Sequence, residues 1–307
     1  MTRNSQTLIK YVADAAIQAL YCELNLSPKP GLVDRYNSGS HHDMNYQTFC
    51  DSIVALTPFF SDYVRLGFEH QGDLEELFIQ VRDVGVCAEK AMLLATKGIN
   101  THKGANFSFA VILGATGYYL NQEPGLVFSL QDIEGIFQIV QQMTRNLVDK
   151  DFSNLHLKTK LSYGEKLFLE KGLTGIRGEA SAGYPALREV LMPFLREQKT
   201  TDEAVETQFL RGMLLLMSEV EDGNILHRGG YDAWLQVKGE TKELHQANFD
   251  TETLHAELVN YDQVMRDRHL SPGGTADLLS LGFYLAYLEG LITNFGDSTS
   301  CLKHVSL

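Results

Sequence analysis

The sequence predicts an all-α protein that forms a single large multi-helix domain. Apolar residues recur at helical spacing in nearly every segment, and the alternation expected of strands is almost absent. No Ser- or Pro-rich linker divides the 307 residues, and no repeat or low-complexity tract is present. We therefore expect one domain over residues 1–307, with its functional loops converging on one cleft. The alternative is two helical bundles that meet near residue 150 and divide the charged loops between them.

Capping and breaking residues mark several of the predicted helices. Leu8 and Val12 belong to the apolar stripe of the first helix. Asp43 is the predicted N-cap of the second helix, and Pro58 predicts a kink within it. Asp73 opens the third helix with a capping-box pattern. In chain order, the predicted helices cover residues 5–25, 45–66, 73–97, 105–121, 130–149, 184–198, 202–221, 231–247, 251–268 and 276–295.

Composition limits the class of partner. The net charge is -13 and the isoelectric point is near 5.2, which argues against nucleic acid or an anionic membrane as the main partner. The most apolar stretch, 278–295, contains Glu289 and predicts a buried core helix rather than a membrane span. The N-terminus has no signal-peptide pattern, and four widely spaced cysteines are typical of buried fillers in a reducing cytosol. We expect a cytoplasmic protein.

Five Gly- and Pro-rich loops carry most of the cations suited to binding a ligand. Each loop lies at a helix end, and most carry or adjoin a carboxylate. A binder of small polyphosphates needs local positive potential and free backbone N–H groups, which such loops supply. The pattern predicts a nucleotide-handling enzyme. The loops cover residues 28–43, 100–104, 175–185, 222–230 and 271–277.

The loop with Thr101, His102 and Lys103 directly precedes an apolar helical run. A helix N-terminus presents unpaired N–H groups, so phosphate can dock there while Lys103 adds a full charge. The loop does not satisfy the Walker A pattern. The alternative is an ordinary cap with exposed side chains.

The first loop combines cations with candidate metal ligands. Two prolines restrict where Lys29 points, and Asp34 and Arg35 follow. His41 and the carboxylates of Asp34 and Asp43 can together hold a divalent metal or act in proton transfer. The alternative is a solvated loop in which Asp43 only caps a helix.

The third loop places Arg177 and Glu179 on either side of a glycine. Arginine offers planar bidentate donors for phosphate, and Glu179 is a candidate acid or base. The alternative is a local Arg177–Glu179 pair within a turn.

The fourth loop carries Asp222, Asn224, His227 and Arg228. Asp222 and Asn224 can both reach one metal or ribose, and the histidine and arginine follow closely. The alternative is a flexible helix exit with a glycine stop.

The fifth loop predicts the entrance of a helix. Ser271, Gly273 and Gly274 supply a hydroxyl and backbone N–H groups, and Asp277 lies in the first turn. The alternative is that Asp277 only stabilises the helix dipole.

The ordered set of motifs resembles the triphosphoribosyl-dephospho-CoA synthase family over roughly residues 8–295. Two departures are Ser40, where alanine is usual, and Gly223, where threonine is expected. The motifs are P-K-P-G-L-V-D-R at 28–35, G-S-H-H-D-M at 39–44, N-T-H-K-G at 100–104, G-I-R-G-E-A at 175–180, H-R-G-G at 227–230 and S-P-G-G-x-A-D-L-L at 271–279.

The resemblance implies a reaction in which ATP donates its ribosyl group. The 2′-hydroxyl of 3′-dephospho-CoA attacks C1 of the ATP ribose, adenine leaves, and the triphosphate stays on the transferred sugar. The product would be the precursor of the citrate lyase prosthetic group, which a separate transferase would place on an acyl carrier protein. A similar protein serves malonate decarboxylase, and the motifs do not separate the two settings.

Together with the chemistry of the loops, the resemblance implies roles for individual loop residues. Glu179, Asp43 and Asp222 are the catalytic candidates, and Mg²⁺ would be held by Asp34, Asp43 and Asp277. A Mg²⁺-dependent nucleotide or ADP-ribose-like hydrolase and a non-catalytic nucleotide-binding scaffold remain as rivals. The candidates for binding substrate and phosphate are Lys29, Arg35, His41, Thr101, His102, Lys103, Arg177, Asn224, His227, Arg228, Ser271, Gly273 and Gly274.

Overall fold

The protein is an all-α domain in a computed structural model that describes residues 3–153 and 155–293. One continuous core includes residues from Leu8 to Ile292, and the described residues contain no strand. This confirms the predicted fold class. The α-helices are α1 (Arg3–Asn25), α2 (Tyr46–Glu69), α3 (Leu74–Ala95), α4 (Lys103–Gln122), α5 (Leu130–Thr144), α6 (Leu147–Phe152), α7 (Tyr163–Lys171), α8 (Gly175–Ser181), α9 (Met192–Gln198), α10 (Val205–Glu219), α11 (Gly223–Gln246), α12 (Thr251–Asp267) and α13 (Gly273–Leu288).

Helix α4 is the central element, and most of its side chains are buried. Helix α2 crosses it closely because glycines lie at the contact. A Cβ atom added at Gly67 would lie 1.9 Å from the carbonyl oxygen of Gly114, and one at Gly117 would lie 2.1 Å from that of Val64. The crossing therefore tolerates no larger residue at either position. It fixes where the N-terminus of α4 lies.

Helix α13 is buried on nearly every side, and it packs against α1, α4 and α10. The rings of Phe209 and Phe283 stack with their centroids 3.6 Å apart. Helix α13 therefore belongs to the core, as its sequence predicts. None of the described helices combines the length and the apolar character needed to span a bilayer.

Several predicted boundaries were wrong. The helix expected over 130–149 is divided into α5 and α6, and the last helix ends at Leu288, ahead of residue 295. The expected loops at 175–185 and 222–230 are largely helical, as α8 and the first part of α11. In α11 a break at Gly230, where φ is +78°, preserves part of the predicted glycine stop. Glycine-rich sequence thus marked the ends of helices without excluding short helical segments.

The predicted caps also need correction. The side chain of Asn45, not that of Asp43, caps α2, since Asn45 accepts a hydrogen bond from the backbone N–H of Thr48. Asp73 caps α3 through the N–H of Glu75, but α3 does not have the reciprocal bond of the predicted capping box. The helix α2 continues through Pro58.

The cysteines only partly follow the prediction of buried fillers. Cys22 is buried, Cys50 is half-buried and Cys87 is exposed. Cys301 lies outside the described residues.

Candidate active site

One large cavity, about 1060 Å³, receives residues from all five predicted loops. This confirms the prediction that the functional loops converge on one cleft. The volume is at the upper end for small-molecule sites, which suits two nucleotides better than one. Of the predicted site residues, the following line it: Lys29, His41, Thr101, His102, Lys103, Arg177, Glu179, Asn224, His227, Arg228, Ser271, Gly273, Gly274 and Asp277.

Three long helices begin at the cavity wall. They are α4 at Lys103, α11 at Gly223 and α13 at Gly273. Each N-terminus presents backbone N–H groups without intrahelical partners and the positive end of a helix dipole. The cavity thus has a source of positive potential besides its basic side chains.

Asp222 holds two of these N-termini together. Its Oδ1 atom accepts hydrogen bonds from the N–H groups of Asn224 and Ile225, and its Oδ2 atom accepts from the N–H and hydroxyl of Thr275. The side chain is buried and does not line the cavity. Burial raises its pKa, although these hydrogen bonds favour the charged form. Both oxygens are thus engaged in joining α11 to α13.

Asp277 projects from the first turn of α13 to the N-terminus of α4. The nearby backbone N–H of Ala105 favours the charged form of the Asp277 carboxyl group. A Cβ atom at Gly104 would lie 2.0 Å from its Oδ2 atom, so this close approach requires glycine there. Burial and the nearby carboxylates of Asp222 and Glu23 raise the pKa of Asp277 well above its usual range. Within the described residues it forms no ion pair.

Glu179 lies on α8 and borders the cavity. Its Oε2 atom accepts a hydrogen bond of 3.1 Å from the N–H of Ala186. Burial raises its pKa to about 7, and the carboxylates of Glu221 and Glu189 add to the shift. A carboxyl group with this pKa exchanges a proton readily at neutral pH.

Arg177 does not pair with Glu179, so the alternative of a local Arg–Glu pair was wrong. The Nε atom of Arg177 lies 2.8 Å from Asp151, and Arg82 binds the same carboxylate through both of its terminal nitrogens. The guanidinium also lies over the ring of Phe152. Among the described residues, no basic side chain pairs with Glu179.

The other basic side chains that line the cavity also have partners. Lys29 is buried and donates from Nζ to Glu23, 2.5 Å away. Burial raises the pKa of Glu23, and Lys29 partly offsets that shift. Lys103 is exposed and lies 2.6 Å from Glu89. Nucleotide phosphates would have to share these cations with carboxylates.

Three predicted residues of the first loop, Asp34, Arg35 and Asp43, do not line the cavity. The buried carboxylate of Asp34 accepts hydrogen bonds from Ser27 and from backbone N–H groups of its own loop. Arg35 binds Asn25. Asp43 is exposed, and one of its oxygens lies 3.9 Å from Nδ1 of His41. These placements suit the architecture of the loop better than a metal site.

His102 is buried where α4 begins, and it borders the cavity. Its Nδ1 atom lies 2.7 Å from the hydroxyl of Ser52, which also contacts the hydroxyl of Thr101. The Nε2 atom has no hydrogen-bond partner among the described residues. Burial lowers the pKa of His102 to about 3, so the ring is neutral. The alternative of an ordinary cap with exposed side chains was therefore wrong for this histidine.

Carboxylates outnumber cations on the cavity wall. Sequence reasoning missed most of them, although Glu23 interrupts the apolar stripe of α1 three residues after Leu20 and could have been noticed. The lining cations are Lys29, Arg82, Lys103, Arg177 and Arg228. The lining carboxylates are Glu23, Glu89, Glu179, Glu189, Glu219, Glu221 and Asp277.

Comparison with known proteins supplies the family. Residues 9–294 match the family described as ATP:dephospho-CoA triphosphoribosyl transferase. A probable 2-(5''-triphosphoribosyl)-3'-dephosphocoenzyme-A synthase of Streptococcus equi subsp. zooepidemicus is 49% identical over 285 residues, covering 91% of this chain and 96% of the relative. A protein of the same name from Streptococcus mutans is 46% identical over 297 residues, covering 95% and 99%. No solved structure matches the chain.

A match over nearly the whole length, together with close relatives of one name, places this chain in the ATP:dephospho-CoA triphosphoribosyl transferase family.

Proposed function

We propose that this protein transfers the 5-triphosphoribosyl group of ATP to the 2′-hydroxyl of 3′-dephospho-CoA and releases adenine. The observation that carries the proposal is the meeting of three helix N-termini at one cavity with room for two nucleotides. Asp222 and Asn100 accept hydrogen bonds from some of their N–H groups, but those of Gly273 and Gly274 have no acceptor among the described residues. Such open N–H groups can bind phosphate oxygens, as the substrates named by the family require. The product would be 2′-(5″-triphosphoribosyl)-3′-dephospho-CoA.

Glu179 is the proposed acid or base of this reaction. Departure of adenine leaves an oxocarbenium-like ribose, and the attacking hydroxyl must lose a proton. The Glu179 carboxyl group, with its pKa raised to about 7, can accept or donate a proton at neutral pH. Burial raises the pKa of Asp277, so its charged form would need a bound Mg²⁺ or the cationic sugar beside it, and that form would then stabilise positive charge at the sugar. For Asp222, whose oxygens are engaged, we propose a positioning role instead.

We propose that Mg²⁺ binds between the cavity wall and the phosphates of the substrate. Among the described residues no group of three metal-binding side chains forms a cage. Mg²⁺ is commonly held by one or two carboxylates together with substrate phosphates, and Asp277 faces the cavity without an ion pair. When bound, the ion would neutralise phosphate charge that the paired lysines and arginines leave uncompensated. The described positions of Asp34 and Asp43 do not support the wider ligand set expected from the sequence.

The setting of the reaction is also a proposal. We propose that the product passes to a separate acyl-carrier-protein transferase, serving citrate lyase or, alternatively, malonate decarboxylase. We propose a cytoplasmic enzyme, and the net charge of -13 argues against nucleic acid as its partner.

The test is incubation with ATP, with and without 3′-dephospho-CoA and with and without Mg²⁺, followed by detection of free adenine. Adenine that requires both 3′-dephospho-CoA and Mg²⁺ supports the proposal. Adenine, phosphate or ribose products formed without dephospho-CoA would indicate a hydrolase, which the carboxylate-rich wall also suits. Binding of ATP without any reaction would indicate a nucleotide-binding scaffold.

A further inference from the structure

Arg228, His41 and Ser271 form a chain of hydrogen bonds that ends at the cavity. The terminal NH2 nitrogen of Arg228 lies 3.1 Å from Nδ1 of His41, and Nε2 of His41 lies 3.0 Å from the hydroxyl oxygen of Ser271. The three residues come from three separate segments, and all line the cavity. The chain therefore exists only in the folded protein.

The direction of this chain follows from the chemistry of its members. A guanidinium group only donates, so Nδ1 of His41 must accept the hydrogen bond from Arg228. The neutral ring then carries its proton on Nε2, which must donate to the oxygen of Ser271. The serine oxygen is thus an acceptor in this contact, and its own hydrogen is left for another partner.

Within the described part of the chain, the Ser271 hydroxyl contacts no second partner. Its side chain is 2% exposed, and no acceptor for its hydrogen is found among the described residues. A buried donor without an acceptor is costly, and such groups are commonly satisfied by a ligand or an ordered water. The cavity beside Ser271 is where that acceptor can lie.

Other donors surround the same position. Gly273 and Gly274 begin α13, and their N–H groups have no acceptor among the described residues. A Cβ atom at Gly273 would lie 2.2 Å from Nδ2 of Asn224, so this amide lies against the glycine backbone. A site with a hydroxyl donor, two backbone donors and an amide suits a phosphate oxygen.

We propose that the hydroxyl of Ser271 donates a hydrogen bond to a phosphate oxygen of a nucleotide substrate, and that His41 and Arg228 are positioning residues that orient it. The inference rests on the proposed function, since it assumes that phosphorylated nucleotides enter the cavity. Arg228 acts here through His41, because its other contacts are with the carbonyl oxygens of Ser40 and His269. His41 serves as a neutral orienting group instead of a proton shuttle.

The first experiment compares Ser271→Ala with Ser271→Thr, which retains a hydroxyl. ATP and 3′-dephospho-CoA are titrated separately by calorimetry. Ser271→Ala should raise the dissociation constant of one nucleotide by about tenfold to a hundredfold, and Ser271→Thr should largely retain the wild-type affinity. The weakened nucleotide identifies the source of the phosphate, triphosphate or diphosphate. Unchanged dissociation constants for both nucleotides in folded Ser271→Ala would overturn the proposal.

The second experiment tests whether His41 acts through Ser271. His41→Gln should weaken the binding of the same nucleotide. Combining it with Ser271→Ala should cause no further loss of affinity. The matched control is His42→Gln, because His42 is an exposed neighbour that does not line the cavity. Fully additive losses in the double variant would refute the positioning role.

These titrations also separate the inference from the proposed function. They report binding, whereas release of adenine reports transfer. A wild-type protein that binds both nucleotides but never releases adenine would disprove the transfer reaction. The comparison of Ser271→Ala with Ser271→Thr would still show whether Ser271 binds a nucleotide phosphate.

Discussion

Asp222 and Thr275 join the first turns of two helices, with Oδ2 of the carboxylate 2.8 Å from the backbone nitrogen and 3.0 Å from the hydroxyl oxygen. The other oxygen of Asp222 caps α11. One buried side chain therefore sets the distance between two of the N-termini that border the cavity.

Asp222→Asn should destabilise the protein. Both oxygens of Asp222 accept from backbone N–H groups, so the NH₂ group of asparagine must face an N–H donor in either orientation. Leaving a buried donor without an acceptor costs about 1–3 kcal/mol in the free energy of unfolding. Urea unfolding measures this loss. Asp43→Asn is the control, since Asp43 is exposed and its substitution should change stability by less than about 0.5 kcal/mol. Equal stability of the two variants would contradict the bridging role.

Glu179→Gln should lower turnover by about 10²–10⁴-fold and leave nucleotide binding largely intact. The amide keeps the size of the side chain but cannot exchange a proton. Single-turnover release of adenine measures the effect. Glu170→Gln, at an exposed position outside the cavity, should behave as wild type. Near-normal turnover in folded Glu179→Gln would remove Glu179 from the reaction.

The same variant should change how stability depends on pH. In the folded protein the pKa of Glu179 is about 7, above its ordinary value of 4.5. The contribution of Glu179 to the free energy of unfolding is therefore complete below pH 4.5 and is lost as pH rises through 7. Glu179→Gln lacks this loss, so it should gain stability relative to wild type across that interval. Urea unfolding at several pH values measures the difference, and a constant difference would contradict the raised pKa.

Lys103→Ala should weaken ATP binding by about tenfold and leave the fold intact. The ammonium group is exposed at the start of α4, and its ion pair with Glu89 would be shared with phosphate. Lys90→Ala is the matched control, because Lys90 is an exposed lysine beside Glu89 that does not line the cavity. If ATP binds both variants equally well, Lys103 does not contact the triphosphate.

Gly104→Ala should reduce turnover by at least about tenfold without unfolding the protein. The added Cβ would lie 2.0 Å from Oδ2 of Asp277, so the carboxylate must move. Gly239→Ala is the control, since nothing lies within 4 Å of an added Cβ at that exposed position in α11. The control should gain about 0.4–1 kcal/mol in stability. Normal turnover in Gly104→Ala would show that the position of Asp277 is not critical.

Helical spacing was sufficient to predict the core helices, since an apolar stripe has few other ways to be buried. It predicted α4 over 105–121, within two residues of each end. It missed α7 entirely and α8 within a glycine-rich loop. Short helices depend on tertiary packing more than on their own sequence, so local patterns predict them poorly.

The sequence predicted several residues that line the cavity, but it did not predict which carboxylates are paired within the protein. Ser271, Gly273 and Asp277 line the cavity, as their place at a helix entrance suggested. Asp34 is engaged within its own loop, and Glu221 reaches the cavity from sequence typical of a surface. Whether a carboxylate is paired depends on contacts between segments that are distant in sequence. A local sequence pattern carries no information about those contacts.

The internal pairing of the lysines and arginines has a kinetic consequence. Four of the five basic side chains on the cavity wall, Lys29, Arg82, Lys103 and Arg177, already neutralise carboxylates of the protein. With a net charge of -13, the long-range field repels an approaching polyanion instead of steering it. Added salt screens that repulsion, so nucleotides should associate faster as ionic strength rises, the reverse of electrostatically steered binding.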